Sequence, residues 1–362
     1  GFKELGGWDE MMRVCGAVTV NDYGDTMTNL IRSNDDANFP WLGALIGSAI
    51  IGFWYWCTDQ FIVQRVLSGK NEMEARRGTI FGAYLKLLPV FLFLIPGMIA
   101  FALHQKYIGA GGEGFLPMLA NGTANADAAF PTLVAKLLPA GVKGLVVCGI
   151  LAALMSSLAS LFNSSAMLFT IDFYKRFRPE TPEKKLVGIG QVATVVIVIL
   201  GILWIPIMRS VGDVLYTYLQ DVQSVLAPGI AAAFLLGICW KRTSAQGGMW
   251  GLIAGMVIGL TRLGAKVYYS NAGEVADSTF KYLFYDMNWL FFCGWMFLFC
   301  IIVVIVVSLA TKAPTAEKIQ GLVFGTATKE QKAATRASWN HWDIIHTVII
   351  LAITGAFYWY FW

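Results

Sequence analysis

Polar side chains inside long apolar segments are the residues best placed to do chemistry in this chain. Lys86 stands within Tyr-Leu-Lys-Leu-Leu-Pro, and Gln220, Asp221 and Gln223 precede Pro228 in another apolar segment. Charged and amide groups are costly at membrane depth, so each is a candidate functional residue. Proline frees backbone groups that need protein or water partners. The pattern therefore predicts a bent helix beside a cavity that binds a polar solute.

These residues also have ordinary structural interpretations. A lysine near the end of a membrane helix can extend its ammonium to the interface, and amides can join neighbouring helices by hydrogen bonds. The residues alone leave both interpretations open for Lys86 and Gln220.

A second polar cluster lies in the apolar segment 142–171. The carbonyl of Ala153 and the hydroxyls of Ser156 and Ser157 are separated by three and four residues, which places them on one helix face. Hard cations take oxygen ligands, and we expect sodium to behave alike. Three neutral oxygens fill only part of a sodium shell, so another helix must supply the rest. Small residues that allow close helix packing are the alternative.

Aromatic residues and a carboxylate end the first apolar segment, in the run Phe-Trp-Tyr-Trp-Cys-Thr-Asp-Gln over 53–60. The rings of Tyr55 and Trp56 can stack on the CH surface of a sugar, while the Tyr55 hydroxyl and Asp59 can bond to its hydroxyls. An aromatic belt at the membrane interface with a solvated aspartate is the alternative.

The composition requires a membrane to hold these residues. Of 362 residues 57% are hydrophobic and 14% are charged, with a mean hydropathy of +0.60, whereas soluble domains carry about 25% charged residues. The net charge of +4 is too small and dispersed for a nucleic-acid partner. We predict an all-α integral membrane protein with about eight transmembrane helices. These spans are 39–58, 78–103, 142–171, 186–208, 213–239, 247–264, 288–310 and 343–362.

Lysine and arginine residues predict the orientation of the spans. They concentrate in the connections 59–77, 172–185, 240–246 and 311–342, which are therefore expected on the cytoplasmic side of a plasma or inner membrane, with both chain ends external. Arg262, near the end of the span 247–264, and Lys266, just after it, are counted with the external charges. The long external loop 104–141 is predicted to contain an amphipathic surface helix over 127–139.

Other sequence features predict packing rather than chemistry. Glycines at 43 and 47, and at 251, 255 and 259, are spaced for close helix contact. The six cysteines form no CxxC pair and are interpreted as buried small apolar side chains. Motifs for ATP binding, zinc proteolysis or a serine nucleophile are missing, so an enzyme is not expected.

Three sequence runs carry a resemblance to a known family. Trp-Tyr-Trp-Cys-Thr-Asp-Gln at 54–60, Tyr-Leu-Lys at 84–86 and Ser-Ser-Leu-Ala-Ser-Leu-Phe-Asn-Ser at 156–164 closely resemble the sodium/glucose cotransporter branch of the sodium:solute symporters. The resemblance covers essentially the whole chain. It implies a leucine-transporter-type core of two inverted five-helix repeats, with ion and substrate near the bilayer midplane.

This resemblance also implies a division of the chain. Residues 1–38 form an external loop segment, 39–240 the second five-helix repeat and 241–362 accessory C-terminal transmembrane helices. The first repeat is expected to lie outside these 362 residues.

The resemblance assigns roles to individual residues. Lys86 and Gln220 match partners of sugar hydroxyls, Tyr55 an inner gate with Trp56 as its aromatic neighbour, and Tyr216 an outer gate. Ala153, Ser156 and Ser157 match a sodium site.

Two positions depart from the family pattern. Gly52 stands where an asparagine or threonine is frequent, so the sugar is not determined. Ala159 stands where members that carry two sodium ions tend to have a hydroxyl, which favours one sodium ion.

The implied activity is sodium-coupled symport of a monosaccharide such as glucose or galactose by alternating access, with sodium as the coupling ion and no other cofactor. Two alternatives remain. The chain can serve another solute, such as inositol, sialic acid or another carboxylate, or an amino acid. It can also be a sugar sensor or channel that does not concentrate its ligand.

Overall fold

A computed structural model describes residues 1–119, 122–211, 215–272 and 276–362 of the chain. These residues fold into α-helices, with π-helical segments at 90–94, 168–174 and 282–286 and no extended strand. The helices are α1 (Phe2–Leu5), α2 (Trp8–Gly16), α3 (Trp41–Cys57), α4 (Gln60–Leu67), α5 (Glu72–Pro89), α6 (Ile95–Gly109), α7 (Ala129–Leu137), α8 (Ala140–Met167), α9 (Lys175–Phe177), α10 (Glu183–Val211), α11 (Leu215–Cys239), α12 (Ala245–Asn271), α13 (Thr279–Lys281), α14 (Trp289–Ala310), α15 (Ala316–Ile319), α16 (Lys329–Ala337) and α17 (His341–Tyr360).

The membrane-spanning helices confirm the predicted all-α membrane fold. Within the described ranges, seven helices are long and apolar enough to cross a bilayer. The pair α3 and α4, bent by 50° at a short break, makes an eighth if it is one span. The span predicted over 213–239 is α11, and its first two residues lie outside the described residues.

Polar side chains fix the start of several spans. Asn71 accepts from the amide of Glu74 before α5, and Ser244 accepts from that of Gly247 before α12. Asn340 and Asp343 form a capping box before α17. Each cap satisfies an amide that the helix itself leaves free, so each span starts at a defined residue.

The chain divides into two compact units, of which the first comprises Gly1–Gly7 and Pro96–Val214. In this unit α8 packs against α10 and the π-helical segment between them. The long connection after α6 is held by His104, whose Nδ1 accepts from the amide of Leu116 at 3.0 Å. Lys136 donates to the carbonyl of Phe115 at 2.8 Å. The helix predicted over 127–139 is present as a short 3-10 turn followed by α7.

The second unit comprises Trp8–Ile95 and Leu215–Trp362, and its core is a bundle of α3, α11, α12 and α14. One part of the core joins α3, α11 and α14 through Ile50, Ile51, Ala227, Ala231, Trp289, Leu290 and Cys293. Another part joins α11 and α14 through Val225, Ala232, Phe292, Met296 and Cys300.

Glycines bring the helices of this bundle close together, as their spacing predicted. A methyl group on Gly259 would lie 2.7 Å from the carbonyl oxygen of Val225 in α11. A methyl group on Gly47 would lie 2.9 Å from the carbonyl oxygen of Leu290 in α14. Because both neighbours are backbone atoms, these positions admit no larger side chain without separating the helices.

The N-terminal part of the second unit packs at one end of the bundle. Trp8 donates to the Tyr360 hydroxyl at 2.9 Å, and the Leu30 amide donates to the carbonyl of Phe361 at 2.8 Å. Asn288, just before α14, donates to the carbonyl of Ala37 at 2.7 Å. The end of α17 and the start of α14 therefore lie at the same end of this unit as residues 8–37.

A carboxylate organises the turn that leads into α3. The Asp36 carboxylate accepts from the amides of Phe39 at 2.7 Å and Asn38 at 2.9 Å, and Arg32 lies 3.5 Å away. Burial by itself raises the pKa of Asp36, but these two amides and the Arg32 charge lower it by more, so the pKa lies below its usual range.

Two details differ from the sequence predictions. Cys15, Cys293 and Cys300 are buried, whereas the other three cysteines are exposed. Arg262 and Lys266 both belong to α12, which continues past the predicted end of the span at residue 264. Helix α11 runs through the fully buried Pro228, and the bend predicted there stays a prediction.

Candidate functional site

The break between α3 and α4 places the predicted aromatic residues at a bend in the helix. The Tyr55 ring packs edge-on against Trp56, with centroids 5.3 Å apart. Asp59 caps α4 and accepts from the amide of Phe61 at 3.0 Å through one carboxylate oxygen. Trp56 is 46% exposed, so its ring is available to a ligand. The second carboxylate oxygen of Asp59, which does not take part in the cap, is three residues further along the chain.

Lys86 lies next to this bend. Its Nζ is 5.6 Å from the centroid of the Trp56 ring, within the range of a cation–π contact. Its side chain is exposed, although it lies within 72–109, a helical segment that is long and apolar enough to span a membrane. Pro89 and a π-helical segment at 90–94 follow within one turn. An exposed ammonium at such a position requires water or a polar ligand, because lipid cannot solvate it.

The predicted residues of α11 share one helix face. Tyr216 is 58% exposed, and Gln220 and Gln223 are partly exposed. Residues four and seven positions apart lie on the same side of a helix. Within the described part of the chain, the Gln220 amide makes no side-chain hydrogen bond and no ring or ion contact joins it to Lys86 or Tyr55. The structure thus brings Trp56, Tyr55 and Lys86 together, whereas Gln220 and Tyr216 stand on a neighbouring helix.

The predicted sodium residues belong to the first unit. Ala153, Ser156 and Ser157 lie in the regular helix α8, and all three are exposed. The Ser160 hydroxyl donates to the carbonyl oxygen of Ser156 at 3.0 Å. Every residue from 147 to 159 of this helix is exposed, so exposure does not single out one face, and the assignment of Ala153, Ser156 and Ser157 to a sodium site stays a prediction. Among the described residues no group of histidine, cysteine and acidic side chains could hold a metal ion.

A buried ionic cluster in the second unit was missed by the sequence reasoning. Asp221 accepts from Lys266 Nζ at 2.5 Å and lies 3.4 Å from Arg262 Nη2. Arg262 is completely buried. Its guanidinium also donates to the carbonyl of Met287 at 2.8 Å and lies 4.0 Å from the centroid of the Phe292 ring. An arginine within the predicted span 247–264, four residues before a lysine, was the available signal.

Comparison with known proteins identifies relatives along nearly all of the chain. A model of the sodium:solute symporter family matches residues 1–255. The sodium/mannose cotransporter SLC5A10 of Bos taurus is 35% identical over 381 aligned residues, which cover 99% of this chain and 64% of that protein.

Two further relatives have similar identity. The sodium/myo-inositol cotransporter 2 of Homo sapiens is 38% identical, with 82% of this chain and 44% of that protein covered. The sodium/glucose cotransporter 1 of Ovis aries is 36% identical, with 86% and 49% covered. The chain thus spans roughly half to two-thirds of these relatives. Since the family model matches well over half of its residues, the chain belongs to the sodium:solute symporter family.

Proposed function

We propose that the full-length protein that contains this chain is a sodium-coupled symporter of a monosaccharide or polyol, such as glucose or galactose. The observation that carries the proposal is the exposed Lys86 ammonium beside the Trp56 ring, at a bend in an apolar helix. An aromatic face and a hydrogen-bond donor are the two groups that a sugar ring requires. The printed names of the relatives, which transport mannose, myo-inositol or glucose with sodium, support the same substrate class.

The substrate contacts divide between apolar and polar surfaces of the sugar. The rings of Tyr55 and Trp56 cover the CH face, and Tyr55 must move aside to release the sugar inward. Lys86 donates to sugar hydroxyls, and its ammonium has donors that the Trp56 ring does not use. Gln220 can donate and accept, and the second oxygen of Asp59 can accept. Tyr216, one turn before Gln220, covers the sugar from the outer side.

Sodium binds to the exposed oxygens of Ala153, Ser156 and Ser157, which all belong to α8, and to further oxygen ligands from another helix. Coupling requires that sodium and sugar both favour the same conformations, since a ligand shifts an equilibrium only by its differential affinity. Sodium is therefore expected to stabilise the outward-open state that captures sugar. The bundle then rocks and exposes both ligands to the cytoplasm.

One sodium ion per cycle supplies enough free energy for accumulation. A single charge that moves down a membrane potential of about 100 mV releases about 2.3 kcal/mol. Since about 1.4 kcal/mol corresponds to a factor of ten, this term alone supports roughly fiftyfold accumulation of a neutral sugar. Ala159 in place of a hydroxyl favours this stoichiometry.

We further propose a plasma or inner membrane location with both ends of the chain external. The contacts of Trp8 with Tyr360 and of Leu30 with Phe361 support a common side for the two ends. The opposite end of the second unit carries Arg242, which donates to the carbonyl of Thr311 at 2.8 Å. Its basic residues favour the cytoplasmic side.

The test is uptake of radiolabelled sugar into vesicles that contain the full-length protein, with sodium or choline outside. Sodium-dependent accumulation above the equilibrium level is expected. Equal uptake in both salts would refute coupling and indicate a channel or sensor. Competition by sialic acid or proline, without competition by glucose, mannose or inositol, would refute the substrate class.

Two substitutions test the site assignments. Ser157→Ala is expected to raise the sodium concentration required for half-maximal uptake. Ser164→Ala is its matched control, because that buried hydroxyl donates to carbonyls of Ser160 and Leu161 within α8. Gln220→Ala is expected to raise the sugar KM about three- to tenfold, the effect of one hydrogen bond, with the exposed Gln246→Ala as control. Unchanged kinetics in a test variant would reject that assignment.

A further inference from the structure

The ionic cluster around Asp221 is a costly feature that sugar contacts do not explain. Arg262 is completely buried, and Asp221 is 9% exposed. Removing each ion from water is costly in free energy, and the attraction between the ions offsets this cost only with good geometry and further hydrogen bonds. Apolar side chains could fill the same space between helices without that cost. The arrangement therefore favours a role in orientation over one in stability.

The contacts of Arg262 connect three helices. It lies on α12, reaches Asp221 on α11 and donates to the carbonyl of Met287 just before α14. The Phe292 ring of α14 covers its guanidinium. Lys266, one turn later on α12, pairs with the other oxygen of Asp221. Both oxygens of this carboxylate are thus held from α12, which fixes α11 against rotation about its own axis.

Asp221 is also the sequence neighbour of Gln220. Consecutive residues of an α-helix point about 100° apart. The side of α11 that faces the bundle contains Asp221, Ser224, Val225 and Pro228, which are all buried. Gln220 lies on the adjoining side with Tyr216. If Asp221 no longer held α11, a rotation of this helix would change the direction of both the Gln220 and the Tyr216 side chains.

We propose that Asp221 is a positioning residue, held by Arg262 and Lys266, that sets the rotation of α11 and so the direction of the Gln220 amide. This inference rests on the proposed role of Gln220 in sugar binding, but the orientation itself can be tested without any sugar.

The first measurement is the chemical accessibility of position 220. Gln220→Cys is introduced into the full-length protein after the exposed Cys57, Cys148 and Cys239 are changed to serine. The labelling rate with a membrane-impermeant thiol reagent is then compared with and without Asp221→Asn.

We expect Asp221→Asn to change this rate severalfold. Asp277→Asn is the matched control and should leave the labelling rate unchanged. The Asp277 carboxylate is exposed, and it pairs with Lys281 Nζ at 2.8 Å rather than with a residue of α11. Arg262→Lys is the second variant. It keeps the charge but not the planar fork that reaches the Met287 carbonyl, and it should change the rate as well. It also replaces Asp221→Asn if that variant does not reach the membrane.

The second measurement is sugar transport normalised to surface abundance, with glutamine at position 220. Asp221→Asn should raise the sugar KM about tenfold, the effect of losing an aligned hydrogen bond, with the maximal rate within about twofold. A stability defect would lower abundance and leave KM unchanged. If wild type transports sugar but the variants change neither KM nor the labelling rate, the inference is overturned. If wild type shows no coupled transport yet labelling changes, the proposed function fails and the positioning role stands.

Discussion

Gly255 offers a sharp test of the close approach between α11 and α12. A methyl group there would lie 2.9 Å from the Cα of Gly229 and 3.3 Å from the sulfur of Cys300. Carbon atoms in contact prefer separations of about 3.5–4.0 Å, so Gly255→Ala must separate the two helices by about 0.6 Å or more. Overpacking of this kind costs about 1–3 kcal/mol, whereas alanine gains about 1 kcal/mol over glycine in helix propensity.

Gly264→Ala provides the matched control on the same helix. No atom lies within 4 Å of a methyl group at Gly264, so only the gain in helix propensity remains. The free energies of unfolding of the two variants should therefore differ by about 1–3 kcal/mol, with Gly255→Ala the less stable.

The assay is thermal unfolding of the purified full-length protein in detergent. The difference corresponds to a gap of about 2–6 °C in apparent Tm for a chain of this size. Sugar KM should rise in Gly255→Ala alone, because displacement of α11 carries Gln220 with it. Equal Tm values for the two variants would show that α11 and α12 do not meet backbone to backbone at Gly255, and would refute the packing argument.

Three further outcomes follow from the structure. Lys86→Met keeps the apolar stem but removes the ammonium, so sugar KM should rise about tenfold or more at unchanged surface abundance; an unchanged KM in the uptake assay would contradict the sugar contact. Gly52→Asn should be tolerated, because no atom lies within 4 Å of the new Cβ, and it should change the order in which sugars compete for uptake. An identical order would show that position 52 does not determine sugar specificity. The pKa of Asp36 is lowered in the fold, so its contribution is present above the usual carboxyl pKa of about 4 and is lost as pH falls through the lowered value. The protection factors of the Asn38 and Phe39 amides, which are corrected for the intrinsic pH dependence of exchange, should fall on acidification below about pH 4, and identical protection factors on both sides of that range would refute the role of the carboxylate.

Much of the fold was predictable because membrane insertion imposes strong local rules. A helix must be apolar for about 20 residues to cross the hydrocarbon core, and this rule located the spans, whereas the surface helix was predicted over 127–139 as an amphipathic segment. Close packing at Gly255 and Gly259 was also predictable, since only small residues allow backbones to approach. The bend after Cys57 was not foreseen, although Asp59 is a helix cap in a suitable position.

The site was predictable in its residue types but not in its pairings. Lys86 stood out because a charge within an apolar segment has few explanations. Its contact with Trp56 joins residues 30 positions apart, and no local pattern encodes such a pair. The Asp221 cluster was missed because Arg262 and Lys266 were counted with the external charges, whereas α12 continues past both to Asn271.

The sequence by itself determined that the chain belongs in a bilayer, where the candidate spans lie and which residue types are available to a polar solute, because hydrophobicity and helix geometry are properties of short segments. Only the tertiary structure decided which charges meet and which side of each helix is buried. Asp221 became a buried partner of two cations, whereas its neighbour Gln220 remained accessible. The physical reason is that an ion pair inside a bundle depends on how helices distant in sequence rotate and approach each other, which is settled by packing across the whole unit.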